Sequence, residues 1–121
     1  MELIQMESNR QERYRDARLE VSYSSRTVAL DRAALHLTRL EFELLAMLTR
    51  SAGQVVSKDT LVLYIWGQGP EVHSRTLNVH LRRLRVKLGE YGRQHIETIF
   101  GLGYRLQPCQ APAELTQAAG A

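Results

Sequence analysis

Between Ser74 and Gly89 the chain reads SRTLNVHLRRLRVKLG, and this stretch leaves few choices for how the rest can be arranged. Ser74 is a good N-cap, because its hydroxyl can accept from an orphan backbone N–H, and Gly89 stands where a helix end takes a left-handed residue. The spacing predicts a helix of about four turns between them. At 100° per residue, Leu77, Leu81, Leu84 and Leu88 fall in one narrow stripe, the pattern of a helix pressed on a core. Opposite the stripe lie Arg75, Val79, Arg82, Arg83 and Val86, with Thr76, His80, Arg85 and Lys87 on its flanks. The segment holds five cations and no acid. Unbalanced positive charge on one surface helix finds its natural counterpart in a dense polyanion. Two valines among the cations fit a helix in a major groove, where an apolar side chain touches a thymine methyl and arginines reach guanine edges or phosphates. The competing explanation is a solvated charged face that serves solubility alone.

Strand signals precede this helix and follow it. Leu19, Val21 and Tyr23 alternate with polar residues, and shorter alternations follow at Val28 and Leu30 and at Leu35 and Leu37. Ser24-Ser25 and Asp31-Arg32 separate them, so a small antiparallel sheet of hairpin-linked strands is expected. Thr38-x-x-Glu41 has the form of a capping box ahead of an apolar run through Leu48, which predicts a buried helix stopped near Gly53. Val55 and Val56 suit a short extended piece. Ser57 caps a second helix to Trp66, with Leu61, Val62 and Ile65 inward, and Gly67 ends it. Residues 67–73, GQGPEVH, read as a loop. Past Gly89, the stretch from Ile96 to Phe100 and that from Tyr104 to Leu106 flank a Gly101-Leu102-Gly103 tip, a hairpin beside the basic helix. The whole is an α+β winged helix-turn-helix: an N-terminal antiparallel sheet, three helices and a C-terminal β-hairpin wing. Residues 1–17 read as a linker or flexible arm, 18–107 as the folded domain and 108–121 as a disordered tail.

Charge is unevenly placed. The chain has 121 residues and a net charge of +3, yet from Arg75 to Arg105 seven basic side chains face only two acidic ones, Glu90 and Glu97. The remainder is therefore acidic, and the basicity sits on the helix and the segment after it. A single cysteine, Cys109, excludes an intramolecular disulfide and suits a reducing cytoplasm. No apolar run is long enough to span a bilayer, so a cytoplasmic location and no membrane partner are expected.

Several motifs in order resemble a known family: Leu37-Thr38-x-x-Glu41-Phe42-x-Leu44-Leu45, Val56-Ser57, Trp66-Gly67, Arg75-Thr76-Leu77-x-Val79-His80-Leu81-Arg82-Arg83-Leu84-Arg85, and Ile96-Glu97-Thr98-Ile99-x-Gly101-x-Gly103-Tyr104-Arg105-Leu106. Together, from about Leu19 to Leu106, they resemble the OmpR/PhoB-type winged-helix effector domain of bacterial two-component response regulators. The resemblance implies a four-stranded N-terminal sheet, a helix from Arg75 lying in the major groove and a wing at the adjacent minor groove. It also implies that loop 67–73 can touch RNA polymerase. Carried over by position, Val79 and Arg83 become candidates for base contacts. Arg75, Thr76, Arg82, Arg85 and Trp66 become candidates for the phosphate backbone, with Thr98 and Tyr104 contributing from the wing. For His80 a backbone contact and simple solvation both stand, and for Trp66 so does a plug between helices. Phe100 stands where the family often places an arginine, leaving Arg105 or Arg93 to supply charge to the wing, and Asn78 stands where an aspartate is common. The receiver domain that normally precedes such a module has no counterpart in the sequence.

The expected function is sequence-specific binding of double-stranded DNA by a transcriptional regulator, with tandem half-sites raising the affinity of so small a module. A winged-helix module for protein contacts, with little specific DNA binding, is the alternative. Nothing points to an enzyme, a small-molecule substrate, a cofactor or a metal. There is no phosphate-cradling Gly-Lys-Ser/Thr loop and no nucleophile with a base, and His36, His73, His80 and His95 fall on different elements.

Overall fold

The structure, a computed structural model, describes residues 12–67 and 70–110, with the side chains of 70–74 outside the description. The described residues fall into two compact units, one within Met1–Leu35 and Pro108–Ala121 and the other within His36–Gln107.

In the first unit β1 (Arg13–Arg15), β2 (Leu19–Ser22), β3 (Thr27–Leu30) and β4 (Ala33–Leu35) make one antiparallel sheet in chain order. Alternation decides the faces: Leu19, Val21 and Val28 are buried, while Glu20 and Ser22 are half-exposed. β1 lies inside the stretch read as a linker. Its sequence, Arg-Tyr-Arg, carries no apolar alternation, because it is an edge strand held by charge. Arg15 is paired in register with Glu20 and bonds its carboxylate, and Arg13 stands 4.0 Å from the same group. β4 ends at Leu35, two residues before the expected alternation does. The backbone N–H of Ala17 donates to the carbonyl of Cys109 at 3.1 Å, so the start of the expected tail is tied to the unit. The rest of that tail, 111–121, and the arm's residues 1–11 lie outside the described residues.

The β3–β4 turn is made by Asp31 and Arg32, at φ 52° and 71°. Two successive positive φ angles are the signature of a two-residue type I′ turn, which matches strand twist and favours Asn-Gly or Asp-Gly. Asp31 is held by a two-pronged bond from Arg18, both distances 2.9 Å. Arg32 is exposed and sits in a conformation that an L side chain resists. Arg32→Gly is expected to raise stability by about 0.5–1 kcal/mol. A urea titration against the parent chain checks this, and a lower midpoint contradicts it.

In the second unit α1 (Arg39–Arg50) begins with the predicted capping box. The Glu41 N–H donates to Thr38 Oγ1 at 3.2 Å, and the Thr38 N–H donates to Glu41 Oε1 at 2.9 Å. Phe42, Leu44, Leu45 and Leu48 from this helix are buried. β5 (Val55–Ser57) leads into α2 (Lys58–Trp66), whose N-cap Ser57 accepts from the Thr60 N–H at 3.0 Å, and Gly67 ends it. The next helix, α3, runs Pro70–Leu88. It starts earlier than the sequence pattern suggests, so Ser74 is no cap and 70–73 are helical rather than loop. Proline explains the shift, since its fixed φ and missing N–H suit the first helical position. Residues 68–69 of the expected loop lie outside the described residues.

Gly89 has a positive φ of 61°, as a helix end requires, and its N–H returns to the Arg85 carbonyl at 2.9 Å. Instead of a loop it opens a short fourth helix, α4 (Glu90–His95), which buries Tyr91 completely. The sequence pattern predicts three helices; the described residues form four. β6 (Ile96–Ile99) and β7 (Gly103–Leu106) then form the hairpin, and β7 pairs on its other side with β5, giving the sheet order β5-β7-β6.

Candidate nucleic-acid interface

Leu77, Leu81, Leu84 and Leu88 are all buried, none more than 2% exposed. That stripe fixes the rotation of α3, and the opposite face emerges as the periodicity requires. Val79 is 45% and Val86 72% exposed, and Arg75, Arg82 and Arg83 stand out in solvent. None of these three arginines takes part in a hydrogen bond or ion pair among the described residues. Three guanidinium groups and an apolar Val79 therefore share one exposed face of α3. Thr76 and His80 flank it, half-buried. His80 Nδ1 is buried without a hydrogen-bond partner among the described residues. Trp66, also half-buried, closes α2.

The other two cations of the helix are placed differently from the expectation of five uncompensated charges. Lys87 Nζ donates to Glu41 Oε1 at 2.7 Å. Arg85 turns toward the hairpin, where its Nη2 donates to the Ile96 carbonyl at 3.1 Å and to Thr98 Oγ1 at 2.8 Å. Its guanidinium carbon also lies 5.8 Å from the centre of the Tyr104 ring. Arg85, Thr98 and Tyr104, each read from the sequence as a contact to DNA, are thus bonded to one another's elements. Tyr104 is 6% exposed and donates its O–H to Asn78 Oδ1 at 3.0 Å. Burial pushes its phenol up from the ordinary value, against the pull of the Arg85 charge. The outcome is a pair of struts between α3 and the wing. Helical and strand periodicity report exposure along one element, and bonds between elements leave no trace in either.

The family described as "Transcriptional regulatory protein, C terminal" matches residues 32–106, more than half of the sequence. The chain belongs to that family. Its relatives include the DNA-binding dual master transcriptional regulator RpaA of Synechocystis sp., 41% identical over 76 residues, a match covering 61% of this chain and 32% of RpaA. Among solved structures it resembles the RstA DNA-binding domain of Klebsiella pneumoniae, determined in complex with the RstA box. The TM-score is 0.74 at 26% identity, over 81% of this chain and 99% of that one. The response regulator DrrB of Thermotoga maritima, an OmpR/PhoB homologue, superposes with a TM-score of 0.71 at 28% identity, over 79% of this chain and 44% of DrrB. This regulatory domain thus spans about a third of the length of RpaA, and the OmpR/PhoB-type winged-helix resemblance read from its motifs holds. No helix among its described residues is long and apolar enough to cross a membrane.

Two departures from the family pattern acquire a physical setting. Asn78, in place of the common aspartate, keeps an oxygen acceptor for Tyr104 without bringing a negative charge to the cationic face. Arg105 does not lend its charge to a wing that lacks an arginine at position 100. Its Nε and Nη2 both donate to Glu97 Oε1, at 2.9 and 2.7 Å.

Proposed function

We propose that this domain binds double-stranded DNA in a sequence-specific manner as the effector part of a two-component response regulator in the cytoplasm, and carries no catalytic activity of its own. The observation that carries the reading is the trio Arg75, Arg82 and Arg83, without a hydrogen bond or ion pair among the described residues, around exposed Val79 on a helix rotated by four buried leucines. Cations without counter-charge are placed to neutralise phosphates, and a small apolar side chain among them is placed to touch a base. The RstA domain, alike in fold over most of both chains, is a DNA-bound relative and supports the same docking. Val79 and Arg83 are assigned to bases, and Arg75, Thr76, Arg82 and Trp66 to the sugar–phosphate backbone. Arg85, Thr98 and Tyr104 act on DNA through the position they give the wing. Tandem half-sites would make the second binding event quasi-intramolecular, and the segment 67–73 is the candidate contact to RNA polymerase.

Fluorescence anisotropy on a duplex selected from random sequence, together with its single-position variants, tests the assignment. Arg83→Ala is expected to lose ~1–3 kcal/mol of discrimination at one base position. Arg75→Ala should weaken every duplex alike and make the log–log salt slope shallower by about one. Equal losses for the two variants would remove Arg83 from base reading. A salt-independent affinity would remove DNA binding itself and favour a protein-contact module.

A further inference from the structure

The wing has no unpaired charge. Its only ionised side chains, Glu97 and Arg105, are bonded to each other. At its tip the turn is closed by the Leu102 N–H donating to the Ile99 carbonyl at 2.9 Å, and it displays Phe100 at 92% and Leu102 at 63% exposure. A phenylalanine so placed contributes almost nothing to this chain's own burial, and burial is the main favourable term that a phenyl ring offers.

The tip is also held in a defined position. The Arg85 bond to Thr98 and the Tyr104 bond to Asn78 brace the hairpin against α3. Phe100 follows Ile99, the last residue of β6, and so stands in the turn two positions beyond the braced Thr98. An open concavity of about 610 Å³ runs between the start of α2, α3 and the wing, bounded by Lys58, Asn78, Thr98, Phe100 and Leu102. At its α2 rim Lys58 and Asp59 bring one charge of each sign, so the concavity has no net charge and its wing side is neutral or apolar.

We propose that Phe100, backed by Leu102, passes beside this net-neutral concavity as an apolar wedge into the minor groove next to the α3 contact, partly unstacking a base step. The proposal rests on the DNA-binding reading above and adds the way in which the wing takes hold. A tip without a cation gains nothing from the negative potential of a narrow minor groove. An exposed apolar ring gains by leaving water between bases, and aromatic and aliphatic wedges act on duplexes in this way. The preferred step is a flexible pyrimidine–purine one, where unstacking costs least. The contact is uncharged, so it adds affinity without releasing counterions.

The test uses the duplex that the parent protein selects from a random-sequence pool, with 2-aminopurine placed in turn at each position flanking the α3 contact. Binding is expected to raise fluorescence at one step. Phe100→Ala should abolish that rise and weaken binding about tenfold, with the salt slope unchanged and the thermal melt unaltered. Phe100→Arg should recover affinity with a slope steeper by about one, but without the fluorescence signal. The proposal fails if Phe100→Ala binds as tightly with the same signal, or if its loss of affinity comes with a shallower slope. It fails also if that variant keeps DNA binding but abolishes self-association in sedimentation, which would make the tip a contact between copies. If the parent protein selects no duplex, the DNA-binding reading falls and the wedge falls with it, an outcome distinct from a bound duplex that gives no signal.

Discussion

Gly103→Ala is expected to cost about 3 kcal/mol or more, the largest effect of an added methyl group at any glycine among the described residues. Gly103 opens β7 opposite Ser57 of β5, at the crossing where the wing joins the three-stranded sheet. A Cβ there would stand 2.1 Å from the Val56 carbonyl oxygen and 2.7 Å from Ser57 Cα. Both are backbone atoms, so no side-chain rotation relieves the contact, and one strand must leave its register. Separating β5 from β7 also loosens Tyr104, whose O–H bond to Asn78 is one of the two struts beneath the wing. The variant should therefore lose DNA affinity in parallel with stability. Gly101→Ala is the control, because nothing lies within 4 Å of its Cβ position and only its positive φ opposes the change. A chemical-denaturation midpoint for Gly103→Ala equal to that of Gly101→Ala would show that the close approach carries no energetic weight.

The features legible in the sequence were those whose cause is local. The Thr38 capping box, the Ser57 cap and the leucine stripe each depend on residues within a turn or two, and each stands where its spacing puts it. The face presenting Arg75, Val79, Arg82 and Arg83 was legible for the same reason, since an inward stripe fixes an outward one. β1 was not, because an edge strand held by Arg15 and Glu20 across a turn has no apolar period to display. The early start of α3 at Pro70 was hidden by a Gly-Pro pair that reads as loop until its position at a helix entrance is known. α4 is too short for a helical period, and only the complete burial of Tyr91 shows what it does. Arg85 and Lys87 were indistinguishable by sequence from the free arginines beside them. Their partners lie 11 to 46 residues away, and a period of 3.6 is blind to that distance.

Lys87 has the larger consequence, because it joins the last turn of α3 to the first turn of α1 through a buried carboxylate. Glu41 is 1% exposed, and its Oε1 accepts from both Thr38 N–H and Lys87 Nζ. Burial acts most strongly on this group and raises its pKa. The Lys87 bond, the Thr38 backbone bond and the Lys87 charge together outweigh it, so the pKa falls below the ordinary 4.5. A depressed folded-state pKa contributes stability that is present above the unfolded value and is lost as the pH falls through the folded one. Glu41→Ala at pH 7 is expected to cost about 2–3 kcal/mol, toward the lower end because Lys87 remains partly in water and is screened. The difference between this variant and the parent should shrink in urea titrations carried below pH 4.5. Lys87→Met gives the sharper check. Burial then meets less opposition, the Glu41 pKa moves upward, and the acid-side loss of stability attributable to this group diminishes or reverses. Parallel pH profiles for Lys87→Met and the parent would mean that the pair is an incidental surface contact. The orientation of α3, and with it the aim of its arginines, would then depend on the leucine stripe alone.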